Sequence, residues 1–157
     1  MPQAIVIHEH GGSEFLRLEE RDPGEPGPGA ARVRVSASGV NFIDVYMRTG
    51  LYPRPTPFVL GLEGAGVVET VGPATNGFAE GDTKGFAEGD RVAWSSVPGS
   101  YAEVLVAPAD RLVRVPEGVS DQVAAAAMLQ GMTAHYLVQG VRTTSPGDNV
   151  GASCVSI

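Results

Sequence analysis

The chain has 157 residues, of which 43% are hydrophobic, and its 11 basic and 18 acidic side chains give a net charge of −7. An acidic chain without a Lys/Arg-rich segment is unsuited to binding nucleic acid or an anionic membrane surface. The single cysteine, Cys154, excludes an internal disulfide framework and a zinc site built from several cysteines. With no apolar run of membrane-spanning length and no basic leader, the sequence predicts a soluble cytoplasmic protein.

The 21 glycines and 12 prolines predict a chain of short strands separated by turns. Residues 4–8 and 15–20 are predicted to pair as an opening hairpin, and 32–37 alternates polar and apolar side chains as a half-buried strand does. Further strands are predicted at 66–71, 91–95, 102–107 and 111–115. So many short strands at this spacing predict a mainly β fold, a sandwich or a barrel, with few helices.

Three segments carry helix signals. The first, 41–49, has Asn41 at its N-terminal cap and a glycine just beyond its end. The second starts at the cap Ser120 and continues through a run of alanines, the best helix formers. The third covers 132–139, and the sequence leaves open whether Gly131 separates it from the second.

An apolar face is predicted along the second and third helical segments, because three large side chains recur there at helical spacing: Met128, Met132 and Tyr136. An apolar face without a partner in its own chain drives association. We therefore expect these side chains to fold back on the rest of the chain, to pair in a homo-oligomer, or to remain exposed.

A short repeat interrupts the strand pattern: GFAEGD occurs at 77–82 and again at 85–90. A tandem copy of this length is far too short for a solenoid unit. The second copy leads into a predicted strand, whereas the first leads only into Thr83 and Lys84. We interpret the first copy as an insertion in a surface loop, where added residues cost little stability.

Four motifs occur in order along the chain: SGVNFIDVYMRTGLYP at 38–53, GLEGAGVV at 61–68, GDRV at 89–92 and LQGMTA at 129–134. Together they resemble the quinone oxidoreductase branch of the medium-chain dehydrogenase/reductase superfamily, from Ala4 to about Val150. The resemblance implies a GroES-like, partly open β-barrel at 1–125 that forms the substrate side of the active site. It also implies linker helices and the truncated start of a Rossmann dinucleotide-binding domain at 126–157.

The same resemblance implies a zinc-free enzyme. Zinc-dependent alcohol dehydrogenases carry a cysteine where this chain has Asn41 and a histidine where it has Leu62. Neither an amide nor an isobutyl group replaces a thiolate or an imidazole as a zinc ligand. Two of the scattered histidines, His8 and His10, could share a strand face, but two ligands rarely hold a metal.

The resemblance also implies roles for five side chains. Asn41 would hydrogen-bond the nicotinamide or the substrate, and Tyr46 and Tyr52 would border the quinone pocket as catalytic-site residues. Gln130 and Thr133 would approach the cofactor together with Asn41.

Simpler structural roles remain open for some of these residues. Asn41 could serve only as the helix cap. The two tyrosines could be half-buried structural residues, and Thr133 could bond back to its own helix. Asp44 and Arg48, one helical turn apart, could form a surface ion pair.

The implied activity is NADPH-dependent hydride transfer to a quinone. The chain carries no G-x-G-x-x-G phosphate-binding motif: the glycines Gly64 and Gly66 are followed by Glu69, so we interpret them as sites of tight turning and close packing. We therefore expect the chain alone to be inactive and to bind NADPH weakly. Two alternatives remain: a zinc-free enoyl or alkenal reductase, and a non-enzymatic GroES-like binding module.

Overall fold

The computed structural model describes residues 1–73 and 85–141. Their strands are β1 (Gln3–Ile7), β2 (Leu16–Glu20), β3 (Ala30–Gly39), β4 (Phe58–Val59), β5 (Glu63–Val71), β6 (Arg91–Trp94), β7 (Val104–Pro108) and β8 (Leu112–Arg114). Helix α1 covers Phe42–Thr49, and helix α2 covers Asp121–His135 and continues as a π-helical segment, Tyr136–Val141. Short 3₁₀ turns precede β2 and β8. The prediction of a mainly β fold with few helices is confirmed.

The smaller sheet has the strand order β2-β1-β4 and is antiparallel. Its β1–β2 pair is the predicted opening hairpin, with Ile5 opposite Leu18. Strand β4 was not predicted, because a strand of two residues is too short to show an alternation.

The larger antiparallel sheet has the order β7-β3-β5-β6-β8, and it does not join the smaller sheet into a closed barrel within the described residues. Along β3, Ala31 and Val33 are buried while Arg34 is exposed, as the alternation predicts. The main core lies on this sheet around fully buried Trp94, whose indole N–H donates to Ser100 Oγ at 2.9 Å.

Gly64 and Gly66 of the GLEGAGVV motif lie inside β5, so the predicted tight turn there is wrong, while close packing is confirmed. A Cβ on Gly64 would lie 2.7 Å from the Trp94 ring, and one on Gly66 would lie 2.2 Å from the Arg34 carbonyl oxygen. Both glycines therefore let neighbouring strands approach.

Helix α1 begins after the predicted cap, Asn41, and ends at Gly50, whose left-handed conformation (φ 83°) favours glycine. In α2, Ser120 Oγ accepts the Val123 N–H at 3.2 Å, so this cap is also confirmed. The helix runs through Gly131 without a break and crosses the boundary predicted between 125 and 126. The two predicted helical segments are thus one helix, and the domain division stays a prediction.

The second copy of the repeat forms a turn that leads into β6. Asp90 accepts the Ala87 N–H through its side chain at 2.8 Å, and Phe86 packs against the main core. The first copy, at 77–82, lies outside the described residues, as do Cys154 and the predicted start of the Rossmann domain. Within 1–73 and 85–141, no helix is long and apolar enough to cross a membrane.

Candidate active site

The first turn of α1 fixes the position of Asn41. Its backbone N–H donates to Asp44 Oδ2 at 2.9 Å, and the Asp44 N–H donates to the Asn41 carbonyl oxygen at 3.0 Å. Asn41 itself is half-buried. Its predicted position as the helix cap is therefore confirmed, while its role toward a ligand stays a prediction.

The Asn41 side chain contacts a residue that the sequence did not identify as part of the site. Asn41 Nδ2 donates to Glu63 Oε1 at 2.6 Å, and Glu63 Oε2 accepts the backbone N–H of Leu129 at 2.6 Å. Glu63 is completely buried at the start of β5. One signal was available in the sequence: a lone carboxylate in a segment otherwise made of glycine and apolar residues.

Asp44 is not half of a surface ion pair, and that interpretation is wrong. Only 3% of Asp44 is exposed, and its Oδ2 also accepts the Tyr101 hydroxyl at 2.7 Å. The side chain points toward the body of the domain rather than along α1 toward Arg48, with which it forms no ion pair. Burial raises the pKa of Tyr101 well above its usual range, and the hydrogen bond to Asp44 adds to this effect.

The structure brings Tyr46 and Tyr52 together. Their ring centroids lie 5.4 Å apart in an edge-to-face arrangement, and the Tyr52 N–H donates to the Tyr46 carbonyl oxygen at 3.1 Å. Phe42 extends this group at 5.2 Å from Tyr46. About half of Tyr52 (51%) and of Phe42 (44%) is exposed. We call Phe42 and Tyr46 on α1, together with Tyr52 just beyond its end, the aromatic face of α1. Neither tyrosine hydroxyl has a hydrogen-bond partner within the described ranges.

Gln130 and Thr133 both lie exposed on α2. The Thr133 hydroxyl donates to the Leu129 carbonyl oxygen at 2.7 Å, which is the back-bond expected of a helical threonine. Neither residue hydrogen-bonds Asn41, but Gln130 follows Leu129 directly, and Leu129 is tied to Glu63. The cofactor role of Gln130 and Thr133 stays a prediction.

Two surface cavities are lined by none of the five predicted site residues, Asn41, Tyr46, Tyr52, Gln130 and Thr133. One of about 290 Å³ lies between the sheets and is lined by β1, β4 and β7, with Arg21 and Arg54 at its margin. The other, of about 330 Å³, lies along β3 near Tyr101. Neither cavity is lined by the aromatic face of α1.

No group of three or more His, Cys, Asp or Glu side chains that could hold a metal ion occurs in 1–73 and 85–141. The two histidines near the N-terminus make separate contacts: His8 Nε2 lies 2.8 Å from Glu19, and His10 Nδ1 lies 3.1 Å from the Met47 carbonyl oxygen. Leu62 is buried beside Glu63. The predicted absence of zinc stays a prediction.

The chain is similar to a known domain family, to proteins of known activity and to solved structures. The family model described as the alcohol dehydrogenase GroES-like domain matches residues 27–117. The chain is 41% identical over 152 residues to a quinone oxidoreductase of Pseudomonas aeruginosa, covering 96% of the chain and 44% of the relative. It is 40% identical over 158 residues to a 2-haloacrylate reductase of a Burkholderia species, covering 96% of the chain and 45% of the relative.

Among solved structures, the chain is similar to an Escherichia coli quinone oxidoreductase complexed with NADPH. The TM-score is 0.82 at 36% identity, over 92% of this chain and 42% of the other. The chain thus spans less than half the length of the relatives it matches, and it corresponds to their N-terminal part. The predicted resemblance to quinone oxidoreductases is confirmed.

Proposed function

Since the chain belongs to the alcohol dehydrogenase GroES-like domain family, we propose that it forms the substrate side of an NADPH-dependent quinone reductase. The observation that carries the proposal is the aromatic face of α1. Its two tyrosine rings, whose hydroxyls are unpaired within the described ranges, offer a planar carbonyl compound both stacking surface and hydrogen-bond donors. NADPH supplies a hydride and a quinone accepts it together with a proton, which gives the hydroquinone and NADP⁺.

The residues of this chain fit the nicotinamide end of that cofactor. Asn41 donates one N–H to Glu63, and its oxygen faces the Asp44 N–H of the capping box. Its second N–H and the remaining lone pair of the oxygen match the acceptor and donor of a nicotinamide carboxamide. The exposed amide of Gln130 has the same capacity. In this proposal Asn41, Gln130 and Thr133 orient the nicotinamide, and Tyr46 and Tyr52 orient the quinone and donate to its carbonyl oxygens.

We propose three further properties of the enzyme from its sequence. The enzyme uses no zinc, because Asn41 and Leu62 stand where zinc-binding relatives have ligands. It works in the cytoplasm. The 157-residue chain by itself turns over no quinone, since its sequence lacks the glycine-rich turn that binds the cofactor's phosphates.

Quinone binding by the chain tests the proposal directly. Duroquinone, whose ring carbons are fully methylated and therefore resist thiol addition, is titrated into a chain with isotope-labelled tyrosines. We expect the ring signals of Tyr46 and Tyr52 to shift, and Tyr52→Ala to weaken binding by about tenfold, the loss of one stacked ring. Tyr136→Ala is the matched control, because this exposed tyrosine lies outside the aromatic face. Equal binding by the Tyr52 and Tyr136 variants contradicts the proposal.

The relative that reduces 2-haloacrylate supports a second candidate, reduction of an activated carbon–carbon double bond. The same titration with 2-chloroacrylate separates the two. Shifts at Tyr46 and Tyr52 with 2-chloroacrylate but not with duroquinone favour the alkene. Binding of neither compound would contradict both candidates.

A further inference from the structure

Glu63 is a carboxylate in an unusual place, completely buried and with no cationic side chain paired to it among the described residues. Burying a charge-bearing group is costly unless strong hydrogen bonds replace its water. Glu63 has two such bonds, both of 2.6 Å, from the Asn41 side chain and from the Leu129 backbone. Gly39 leaves the space that the Glu63 carboxylate occupies, because a Cβ at position 39 would lie 2.2 Å from Glu63 Oε1.

The two bonds join segments that are far apart in the sequence. Asn41 caps α1, which carries Tyr46 and is followed by Tyr52, and Leu129 lies in α2 immediately before Gln130. One carboxylate at the start of β5 therefore holds both helices that bear the predicted ligand-binding residues.

The bond to Asn41 also selects one orientation of its amide. A carboxylate only accepts hydrogen bonds, so Asn41 must turn its NH₂ group toward Glu63. Its oxygen Oδ1 is then directed away from the carboxylate. Without such a partner, the two orientations of an asparagine amide differ little in shape.

We propose that Glu63 is a positioning residue: it orients the Asn41 amide with Oδ1 directed away from the carboxylate, and it fixes α2 relative to α1. On that side Oδ1 faces the Asp44 N–H of the capping box and keeps one lone pair to accept from a ligand. The inference rests on the proposed function for the identity of that ligand, the nicotinamide carboxamide. The orientation of the amide does not depend on any ligand and is measured separately.

Glu63→Gln tests the orientation because it preserves the size of the side chain. The introduced glutamine still accepts the Leu129 N–H through its Oε1, and its NH₂ group then faces Asn41, whose amide must invert to present Oδ1. In a double variant that combines Glu63→Gln with Asn41→Asp, the introduced aspartate accepts from the glutamine with one oxygen and offers the other to the ligand. Glu69→Gln, on the same strand but without contact to Asn41 or α2, is the control.

Amide exchange followed by NMR reads out the orientation. We expect the Asn41 side-chain NH₂ to exchange with solvent at least about tenfold faster in Glu63→Gln than in the unsubstituted chain or Glu69→Gln. Leu129 N–H protection should be kept. Unchanged exchange at Asn41, or a global loss of protection, overturns the positioning role whatever the chain binds.

Reduced nicotinamide mononucleotide carries the reactive ring of the cofactor. Its binding measures whether the orientation of the Asn41 amide affects ligand affinity. We expect Glu63→Gln to weaken its binding about tenfold, and the double variant to recover most of the loss. Equal binding by the unsubstituted chain and Glu63→Gln, with Asn41 inverted, overturns the inference. If the unsubstituted chain does not bind the probe, the proposed contact of Asn41 with the nicotinamide fails in this chain, and the exchange rates alone support or overturn the orientation by Glu63.

Discussion

Gly39 ends β3 at the point where the chain turns toward α1, and the space above it is filled by Glu63. Only a residue without a Cβ leaves room for the carboxylate that holds Asn41. The requirement comes from close approach and not from backbone conformation, since Gly39 does not have a positive φ.

Gly39→Ala is therefore expected to destabilise the domain by about 2 kcal/mol, the cost of overpacking a filled interior. It should also speed solvent exchange of the Asn41 side-chain amide, because Glu63 must shift. Urea denaturation measures the first effect. The control is Gly27→Ala, at which an added Cβ meets nothing within 4 Å. Equal stability of the two variants would show that Glu63 moves aside freely.

At the residue scale, the sequence predicted the place of a residue within its helix or strand better than its contacts with distant parts of the chain. The cap at Asn41 follows from local helix chemistry, so it could be predicted, and it is confirmed. The bonds from Glu63 to Asn41 and Leu129 join residues 22 and 66 positions apart, and no local pattern encodes them. Asp44 was misjudged for the same reason: its hydrogen-bonded partner Tyr101 is 57 positions away.

At the scale of elements, α2 is held to the larger sheet near its N-terminus. Arg91, the first residue of β6, donates through Nε and Nη2 to Asp121 Oδ1 at 3.0 and 2.5 Å, and through Nη2 to the Val119 carbonyl oxygen at 2.6 Å. The hydrogen bond from Arg91 is the main cause that lowers the pKa of Asp121, and one from Ser36 adds to it. The bonds from Arg91 therefore fix the N-terminal end of α2, ahead of Leu129, whose backbone N–H donates to Glu63.

Asp121→Asn is expected to cost about 1 kcal/mol at neutral pH, near the upper end for a partly exposed ion pair. Because the folded pKa of Asp121 is lowered, its contribution is present above the unfolded value of about 3.9 and is lost as pH falls through the folded value. The difference between the two proteins in unfolding free energy should therefore shrink below about pH 4. Asp110→Asn, which removes an exposed carboxylate with no ion-pair partner among the described residues, is the control. A difference that persists undiminished in acid contradicts this role.

The elements themselves were largely predictable. Short strand-like runs between glycine and proline turns located seven of the strands, and alternation of polar and apolar side chains marked the one at 32–37. Both are local properties of the sequence. The continuity of α2 through Gly131 was not decided by the sequence. An added Cβ at Gly131 would approach only the Ala127 side chain, at 3.8 Å, so the position is open and glycine there is tolerated.

At the scale of the whole molecule, the long helix formed by α2 and its continuation is covered near its start and exposed toward its end. Ala124 and Ala125 of α2 pack on the larger sheet, whereas Met132, Tyr136 and Leu137 are 49%, 64% and 50% exposed. The predicted apolar face is thus exposed at its C-terminal end. A homo-oligomer that covers it stays a prediction.

The relatives are more than twice as long as the segment they share with this chain. The fold of the shared segment followed from its motifs and strand pattern. The proposed cofactor contacts of Gln130 and Thr133 could not be derived from the strand and helix pattern, because the proposed partner is not a residue of this chain.

The central claim is that this domain supplies the quinone side of an NADPH-dependent reductase, and a chimaera tests it most directly. Residues 1–141 replace the matching N-terminal segment of the Pseudomonas aeruginosa quinone oxidoreductase, and NADPH oxidation is followed with duroquinone and with 2-chloroacrylate. We predict oxidation that depends on the quinone, with kcat/KM lowered at least about tenfold by Tyr52→Ala and unchanged by Tyr136→Ala. A chimaera that folds and binds NADPH but oxidises it no faster with the quinone than without would contradict the claim.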